Sequence, residues 1–596
     1  MTMDVLRAFV LASAACALAA LGTSSAARSG SDIVDVTHFG AVADDGKDDT
    51  AAVKAAIAEC ARRSPATLVF PRGRYDFFPE TDFKTAGHVP ALFAVSNAKC
   101  LTIDGRGSTL MFHGITSVFG FGECANTVVK DLTIDWERPP FSIGSVEASE
   151  GNHFDVRVFD EYPVEGGEPV GAFMDYDPRT RLPARHGMDE YNTAVSTELV
   201  RPQVLRVNLR HQARIQPGML AVLRHQVYGN NALSFWRCTD TRVENVTVHT
   251  APGMGLVGNQ CTNIEIDRFR VVPRPGSGRL MSTTADAVHL SGTRGSITIT
   301  NSEFDGMGDD AANIKSGLYL IVREIVDDRT VIGQHNLKIP DAPDPGDTME
   351  MAHQSDMLVF AEAVVKSVEN LPDNKHRIEF TEDLPDELKV GDVIGNASRV
   401  ARTRVSDCVV RNNRARGFLI QQRDAIVESC RFHNVTSGGV WVITETVHFY
   451  ESIGSRDVIV RNNVFDNCNY GGPLGESVLG VFGILEGWKR APKPGIHKRI
   501  LIEGNTIRGA DNAAIYVSGT EGITIRGNTV EGVCDRPTHD IGRSAIYVMS
   551  SRDVKVEGNT VCADKQGAAF EAALTLGPGC DRETVRVKDN TGDFAF

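Results

Sequence analysis

Short runs in which apolar and polar residues alternate recur along most of the chain. Each run is a few residues long, and this alternation is typical of a strand with one buried face. Several runs end in Asn or Gly, and Asn505 and Asn528 close two successive runs 23 positions apart. The clearest runs are 243–248, 264–266, 297–299, 458–463, 501–505, 523–528 and 554–559.

A period above twenty residues predicts a solenoid. In a parallel β-helix, each rung of short strands stacks on the next at about 4.8 Å, so a residue roughly 22 to 25 positions later lies above its predecessor. Asn suits the end of such a strand because it tolerates a left-handed backbone and its amide can bond to the stacked turn. A leucine-rich repeat is disfavoured because its leucines are missing. We therefore predict an all-β fold, a right-handed parallel β-helix.

A helical period is confined mainly to residues 50–62. Asp48, Asp49 and Thr50 stand at its start, and each is a residue type that caps helices. The sequence therefore predicts one short α-helix near the beginning of the β-helix.

Two segments interrupt the repeat, and each ends in a similar phrase, at 215–222 and 388–394. A Gly-led hairpin before an apolar strand predicts a small β-barrel inserted into the helix. Since each insertion begins at the edge of a rung, both could stand beside the same face and wall a cleft. The predicted organisation is a signal peptide at 1–27, β-helix at 28–140, a first barrel at 141–224, catalytic rungs at 225–317, a second barrel at 318–404 and β-helix at 405–596.

The N-terminus reads as an export signal. Arg7 is followed by an apolar run at 8–21 that is too short to span a bilayer, and small residues at 25–27 mark a cleavage site. The mature chain is expected to start near Arg28 and to be secreted or periplasmic. No later stretch approaches eighteen uninterrupted apolar residues, so the sequence predicts no membrane-spanning helix.

Length and charge narrow the function classes. A chain of 596 residues exceeds what one core usually supports, which favours several domains or an elongated repeat. A net charge of −15 without any Lys/Arg block argues against nucleic acid or an anionic membrane as partner. Nothing in the sequence fixes the oligomeric state, and a homodimer is among the options.

The cysteine spacing follows the rung. Eleven cysteines remain once Cys16 leaves with the signal, and an odd number cannot all pair within one chain. Cys238 and Cys261 are 23 positions apart, and Cys408 and Cys430 are 22 apart. This spacing favours small buried side chains stacked in the core, with disulfides of an exported protein as the alternative.

The densest acidic cluster lies between the two insertions, in segments 282–290 and 306–315. Asp286 and Asp309 are 23 positions apart, and each comes just before a short apolar strand. Their carboxylates should therefore project at the same edge of neighbouring rungs, a few ångströms apart. Asp310 can face the same cleft as Asp309 if Gly308 permits a bulge or turn.

Carboxylates crowded in this way are suited to glycoside hydrolysis. One carboxyl must stay protonated for the leaving oxygen while another activates water or attacks the anomeric carbon, and mutual repulsion raises at least one pKa. A Ca²⁺ site is the alternative use of the same oxygens. His289 is expected to be a satisfied strand histidine, with a role in the cleft as the alternative. Lys315 is expected to be solvated, with electrostatic support of a carboxylate as the alternative.

Two known groups resemble these segments. Residues 284–286 and 308–310, followed by 314–317, look like the catalytic segments of the polygalacturonases, which are inverting β-helix hydrolases. However, their downstream Gly-His-Gly is missing, and the only Arg-x-Lys, at 586–588, lies many rungs from the aspartates. A pectin substrate is therefore not expected.

The closer resemblance is to glycoside hydrolase family 110, the exo-acting α-1,3-galactosidases. It covers most of the mature chain and is strongest at 275–286 together with 306–311, with further matches at 131–142, 225–229 and 252–255. That family's helix also carries two β-barrel insertions.

The resemblance implies hydrolysis, with inversion and without a metal or other cofactor, of a terminal α-1,3-linked galactose. Such galactose occurs on blood-group B and linear α-galactosyl glycans, so the implied partners are α-galactosylated oligosaccharides or glycoproteins. On matching positions, Asp286 would be the general acid, with Asp309 and Asp310 positioning and deprotonating water. Segment 315–317 departs from the family pattern. The resemblance therefore does not define the subsite next to this segment, nor the breadth of substrates that it accepts.

Sugar contacts are expected from the rungs after the second insertion, because charged bidentate groups and rings recognise hexoses. Two further function classes remain open at this point: a pectin-type hydrolase or calcium-dependent lyase, and a non-catalytic β-helix adhesin. The candidate substrate-binding residues are Arg416, Gln421, Glu445, Tyr450 and Glu451, with His289.

Overall fold

The computed structural model describes residues 32–594 except 82, 85–86, 338–340, 472–474, 476 and 491. The expected signal peptide lies outside the described residues. In the described part of the chain, no helix is long and apolar enough to cross a membrane.

The N-terminal part of the β-helix contains the α-helix that the sequence predicts, α1 (Thr50–Arg62), which packs against three of the first strands. Asp48 accepts a hydrogen bond from the Thr50 amide at 3.0 Å, whereas the N-cap residue Asp49 makes no side-chain cap bond. The strands of this part are β1 (Asp32–Asp35), β2 (Ala66–Val69), β3 (Arg74–Phe77), β4 (Ala91–Ser96), β5 (Lys99–Phe112), β6 (Ser117–Gly122) and β7 (Ala125–Trp136).

The first insertion is an antiparallel sheet of seven strands around its own apolar core. Its strands are β8 (Phe141–Glu150), β9 (His153–Val158), β10 (Ala172–Tyr176), β11 (Asp189–Tyr191), β12 (Ala194–Arg201), β13 (Val204–Leu209) and β14 (Leu220–Arg224). In space they follow the order β11-β10-β14-β8-β9-β13-β12. Among the described residues no ladder joins β11 to β12, so the predicted barrel is not closed here by strand pairing.

Nine short parallel strands form the rungs between the insertions. They are β15 (Leu233–Trp236), β16 (Thr239–Val248), β17 (Leu256–Asn259), β18 (Thr262–Asp267), β19 (Arg270–Val271), β20 (Val288–Ser291), β21 (Arg294–Thr300), β22 (Glu303–Asp305) and β23 (Ala312–Lys315).

The second insertion is a closed six-stranded antiparallel barrel, in the order β24-β25-β28-β27-β26-β29. Its strands are β24 (Leu320–Asp327), β25 (Thr330–Gln334), β26 (Thr348–Ala352), β27 (Val359–Leu371), β28 (Lys375–Phe380) and β29 (Val393–Asn396).

The C-terminal rungs continue the stack to the end of the described chain. Their strands are β30 (Ala401–Ser406), β31 (Val409–Arg411), β32 (Phe418–Gln421), β33 (Arg423–Glu428), β34 (Arg431–His433), β35 (Val440–Glu445), β36 (Arg456–Arg461), β37 (Val464–Asp466), β38 (Ser477–Leu485), β39 (Lys489–Arg490), β40 (His497–Glu503), β41 (Thr506–Arg508), β42 (Ala513–Ser518), β43 (Thr520–Arg526), β44 (Thr529–Glu531), β45 (Ser544–Met549), β46 (Arg552–Glu557), β47 (Thr560–Val561), β48 (Ala572–Leu576) and β49 (Arg586–Lys588). Short 3₁₀ turns occur at Val36–Phe39, Glu486–Trp488, Asp540–Arg543, Ala563–Lys565 and Arg582–Thr584.

Stacking of these rungs confirms the predicted parallel β-helix. One sheet of 23 strands turns a corner to cover two faces, and a second sheet of 13 strands covers the third. A typical rung is β20, β21 and β22, each paired in parallel with the strands of the rungs before and after it. The inward side chains form one continuous apolar core along the axis.

An asparagine ladder runs through the C-terminal rungs, as the repeated Asn positions predict. The backbone N–H of Asn505 donates to Asn528 Oδ1 at 2.9 Å, and the backbone N–H of Asn528 donates to Asn559 Oδ1 at 3.0 Å. The left-handed residue, however, is the one before each ladder position, for example Gly527 with φ 63°. The ladder Asn therefore contributes its side-chain amide to the hydrogen bonds, and the residue before it adopts the left-handed backbone of the turn.

All eleven cysteines of the described chain are free. Cys238 and Cys261 immediately precede the paired strands β16 and β18, and both are buried in the core. The stacked arrangement is thus confirmed, and the disulfide alternative is wrong.

Candidate active site

The three aspartates lie where the chain enters two neighbouring strands of the 13-stranded sheet. Asp286 precedes β20 and Asp310 precedes β23, and these strands pair with Val288 opposite Ala312. The register is therefore 24 residues, not the 23 that the sequence suggested, because the turn carries one more residue. Asp286 stacks on Asp310, whose backbone N–H donates to Asp286 Oδ1 at 3.2 Å.

Asp309 reaches the same point through an irregular turn at Gly308. The backbone of Gly308 is not left-handed, but a Cβ there would lie 2.4 Å from the Thr284 carbonyl oxygen. Glycine is needed because two stretches of backbone approach closely. The result is that Asp286, Asp309 and Asp310 each place an oxygen within 4.8 Å of the other two, and all three side chains are buried.

Asp309 is surrounded by donors. Arg414 Nη1 donates to its Oδ1 at 2.7 Å, the Tyr228 hydroxyl donates to Oδ2 at 2.7 Å, and the Tyr191 hydroxyl lies 3.4 Å from Oδ2. Burial favours the neutral acid, but the charges of Arg414 and Arg416 and the Tyr228 bond together hold the pKa of Asp309 below its ordinary value. Asp309 is therefore the ionised member of the group.

Asp310 forms a bidentate interaction with Arg416. The guanidinium donates from Nε to Oδ1 at 2.8 Å and from Nη2 to Oδ2 at 2.7 Å, and the Arg416 backbone N–H donates to Oδ1 at 3.0 Å. Such a fork fixes the plane of the carboxylate. Burial raises the pKa of Asp310 to about 7, and the Arg416 charge opposes this shift.

Asp286 has the opposite electrostatic surroundings to Asp309. Burial, followed by the negative charge of Asp309, raises its pKa well above the ordinary value. Its Oδ2 lies 2.7 Å from His289 Nδ1. Burial lowers the pKa of His289 to about 3, so at neutral pH the imidazole is uncharged and does not draw Asp286 toward its ionised form. Asp286 is thus a protonated acid beside an ionised one.

A second polar group continues from His289 along the outer face of the sheet. Lys315 Nζ donates to Glu451 Oε1 at 2.5 Å, and Gln421 Nε2 lies 3.4 Å from Glu451 Oε2. Lys315 is buried, which corrects the expectation of a solvated lysine. Burial opposes the charge on Glu451, but Lys315 keeps its pKa below the ordinary value. The Oε1 atom of Gln421 is buried and has no hydrogen-bond partner among the described residues.

Two of the predicted sugar contacts, Glu445 and Tyr450, are engaged in contacts within the protein. The Glu445 carboxylate accepts backbone N–H bonds from Val447, His448 and Phe449 at 2.6 to 2.8 Å, so it organises its own loop. Tyr450 packs in a separate apolar cluster, and its hydroxyl accepts a bond from Gln354 at 2.8 Å. Both side chains are therefore occupied away from the carboxylates.

The two insertions approach this site differently. From the first, Asp189 accepts bonds from Arg224 and Arg414, and both guanidinium groups contact the Tyr191 ring, 4.5 and 5.0 Å from its centre. The second braces the 445–451 loop, since Asn336 Nδ2 donates to its backbone at 2.7 Å. The first insertion therefore takes part in the charge network, and the second supports its rim.

Five residues of the network were missed by the sequence reasoning. A signal existed for two of them. Arg414 stands two positions before Arg416, and Tyr228 lies in segment 225–229, which carries the family resemblance. The others gave no local signal because folding alone brings them to the carboxylates. The five are Asp189, Tyr191, Arg224, Tyr228 and Arg414.

The arrangement offers a proton donor and a proton acceptor side by side among buried side chains. The same three carboxylates have the oxygen type of a cation site, but Arg414 and Arg416 already neutralise two of them. Acid–base chemistry on a neutral substrate suits this balance of charge better than binding of a divalent ion.

Comparison with known proteins finds matches over most of the chain. Three family models match segments: GLAA-B beta-barrel domain II at 341–394, rhamnogalacturonase A/epimerase, pectate lyase-like, at 33–80, and right handed beta helix region at 493–591. A solved family 28 exopolygalacturonase of Yersinia enterocolitica is 10% identical with a TM-score of 0.47, over 94% of this chain and 79% of that one.

Two curated relatives illustrate the similarity in sequence. The chain is 27% identical to alpha-1,3-galactosidase A of Shewanella woodyi, over 88% of this chain and 90% of that protein. It is also 27% identical to alpha-1,3-galactosidase B of Phocaeicola vulgatus, over 89% of this chain and 95% of that protein. The similarity thus spans the β-helix and both insertions.

Proposed function

We propose that this protein is an exo-glycosidase that hydrolyses terminal, non-reducing α-1,3-linked galactose, with inversion at the anomeric carbon. The observation that carries the proposal is the pairing of a buried Asp286, whose pKa is raised, with Asp309, whose pKa is lowered. The similarity to curated alpha-1,3-galactosidases over most of the chain supports a glycosidase and indicates the sugar and the linkage.

In the proposed reaction Asp286 is the general acid. Its proton moves to the O3 oxygen of the departing sugar as the bond between that oxygen and galactose C1 breaks. Water forms the new bond to C1 from the opposite face and gives a proton to Asp309. Asp310, held by Arg416, orients the water. Asp286 and Asp309 then recover their starting states by exchanging protons with solvent.

Around the sugar, we propose that His289, Gln421 and Arg416 contact its hydroxyl groups, while Glu451 and Lys315 hold Gln421 in place. Gln421 supports this proposal because its buried carbonyl oxygen has no hydrogen-bond partner in the described part of the chain. Sugar hydroxyl groups are donors that would satisfy it.

A panel of galactosides tests the linkage. Purified protein should release free galactose from an α-1,3-galactoside and leave α-1,4 and α-1,6 isomers intact. The branched blood-group B trisaccharide and a linear α-1,3-galactoside belong in the panel because both are expected substrates. Equal release from all three linkages would contradict the linkage, and unsaturated or reducing ends from polygalacturonate would favour a pectin enzyme.

Stereochemistry is tested by NMR of the first product. Inversion predicts that β-galactose appears before mutarotation, whereas initial α-galactose would require a covalent intermediate. The test is needed because carboxyl separations of about 5 to 5.5 Å and about 6.5 to 9.5 Å are typical of retaining and inverting enzymes, respectively. The closest carboxylate oxygens here lie within 4.8 Å, a different measure that selects neither class.

We further propose that the protein acts outside the cytoplasm, as the N-terminal signal implies. N-terminal sequencing of protein recovered from the periplasm or medium should give a start near Arg28. Recovery of only the full-length chain, inside cells, would contradict export.

A further inference from the structure

Tyr228 combines an exposed ring with a bond to a carboxylate of the candidate site. The residue is 40% exposed, yet its hydroxyl donates to Asp309 Oδ2 at 2.7 Å, and Asp309 is only 7% exposed. The hydroxyl end therefore points into the site while part of the ring faces solvent. An exposed aromatic ring beside a buried polar group is suited to packing against the apolar face of a ligand.

The ring is supported from below. Tyr191 stacks on it with 6.4 Å between ring centres and 18° between planes. Tyr191 is itself contacted by the guanidinium groups of Arg224 and Arg414. One face of Tyr228 is thus packed on a fixed surface, and the exposed area belongs to the rest of the ring.

The segment that carries Tyr228 is fastened at several points. The carbonyl oxygen of Val227 accepts a bond from Thr284 Oγ1 at 3.2 Å, and Thr284 is two residues before Asp286. Asn231 Oδ1 accepts the Met254 N–H at 3.0 Å. The exposed ring is therefore held in place before any ligand arrives, which lowers the entropic cost of binding.

The ring also lies next to the carboxylates, since its hydroxyl bonds to Asp309. Asp286, Asp309 and Asp310 are 4%, 7% and 1% exposed, so a ligand must reach them past side chains that are more open. These are Tyr228 and Arg416, whose side chain is 29% exposed. A flat ring and a charged fork beside the carboxylates are suited to a pyranose, which has both an apolar face and hydroxyl groups.

We propose that the Tyr228 ring is the stacking platform for the pyranose whose glycosidic bond faces Asp286, a role that rests on the proposed galactosidase function and specifies one subsite of it. In galactopyranose, the face opposite the axial C4 hydroxyl exposes the C–H groups of C3, C4 and C5. That face of the sugar packs on the Tyr228 ring, and the hydroxyl groups of the sugar then point toward the polar side chains. Tyr228 thus has two separable roles, since its hydroxyl supports the charge of Asp309 and its ring receives the sugar.

Two substitutions separate these roles. Tyr228→Phe keeps the ring, so KM for an α-1,3-galactoside should stay within about twofold of the wild-type value. The acid limb of the pH profile should move to higher pH, because the pKa of Asp309 rises when it loses a donor. Tyr228→Leu removes the ring as well, so KM should rise about tenfold with the same shift of the acid limb. Equal KM values for the Phe and Leu variants would overturn the proposal that the Tyr228 ring is a stacking platform.

Phe78 offers a matched control. It is 43% exposed and stacks on His113 in the N-terminal rungs, so Phe78→Leu removes an exposed ring of similar size and should leave KM unchanged. A rise in KM equal to that of Tyr228→Leu would show that the effect is not specific to the site and would overturn the proposal.

Calorimetry distinguishes failure of the platform from failure of the proposed function. If the wild type releases no galactose, the proposed function fails, and binding of free galactose, glucose and galacturonate is then compared between the wild type and Tyr228→Leu. Binding of one of these sugars that weakens about tenfold in Tyr228→Leu supports the platform. Equal binding to both proteins, or no binding to the wild type, overturns it.

Discussion

At the scale of single residues, three chemically identical carboxylic acids differ because their neighbours differ. Asp309 has two arginines and a tyrosine hydroxyl around it, whereas Asp286 has burial, an anionic neighbour and an uncharged His289. Desolvation acts on both, so the neighbouring charges decide which one ionises. The acid and base roles therefore follow from the surroundings of each side chain.

Asp286→Asn should slow hydrolysis of a natural α-1,3-galactoside by about 10² to 10⁴ because no proton reaches the leaving oxygen. The loss should be much smaller with a nitrophenyl α-galactoside, whose leaving group departs without a proton. Asp309→Asn should impair both substrates alike, since each still needs an activated water. Steady-state rates measure the difference, and equal losses of the Asp286 variant on both substrates would contradict its role as acid.

Arg414→Met should move the acid limb of kcat/KM to higher pH. Removing a positive neighbour disfavours the charged form of Asp309, so its pKa rises and the base is lost at a higher pH as acid is added. Arg414→Lys should shift the limb less because the charge remains.

Arg402 provides the control for this series. It pairs with Asp424 at the surface, where its side chain is 78% exposed, so Arg402→Met should leave the pH profile unchanged. An acid limb that is the same in the Arg414→Met variant and the wild type would show that this arginine does not hold Asp309 ionised.

At the scale of elements, the turns between strands do more than connect them. The asparagine ladder links successive C-terminal turns, and the turn at Gly308 brings two consecutive aspartates to one point. The short strand β11 carries Asp189 and Tyr191 from the first insertion into the charge network. Strand stacking supplies the frame, and irregular backbone places the functional groups on it.

Asn528→Ala should lower the free energy of unfolding by about 1 to 3 kcal/mol. Its side chain donates to the Ile502 carbonyl oxygen at 3.0 Å and accepts the Asn505 N–H at 2.9 Å, so both groups would be left buried without a partner. Urea unfolding measures the loss. The control is Lys555→Ala on the exposed face of β46, and an equally small loss for both variants would mean that the ladder adds no stability.

At the scale of the whole molecule, the β-helix is a rod whose core needs no cross-link. Parallel rungs bury one continuous apolar core, and the thiols are small members of it. The first insertion is also tied to the C-terminal rungs, because His186 lies 2.6 Å from Asp511 and Arg185 lies 2.8 Å from Asp535. The site thus draws on segments that are far apart in the chain.

Denatured without reductant, protein that begins near Arg28 should take up eleven alkyl groups because all eleven described cysteines are free. Intact mass before and after iodoacetamide treatment gives the count. In the folded state most of these thiols should resist alkylation, since the majority are buried. A count lower by two or more under denaturing conditions would reveal a disulfide.

Much of the fold could be predicted from the sequence because the signals are local and repeated. The alternation of apolar residues, the period of the Asn positions and the helix at residues 50–62 each follow from nearby side chains. The aspartates also stood out, since glycine and short apolar strands flank them. The exact register of the rungs could not be predicted, because one extra residue in a turn changes which aspartates stack.

By itself, the sequence determined the β-helix, its interruptions and the three candidate carboxylates. Only the tertiary structure decided which carboxylate is charged, because a pKa depends on charges and burial within a few ångströms. Arg414 and Tyr228 are 105 and 81 positions from Asp309, and Asp189, which bonds to Arg414, is 120 positions from it. Their positions along the chain do not show that these groups come together. Folding brings them together, and their charges and hydrogen bonds then set the properties of the site.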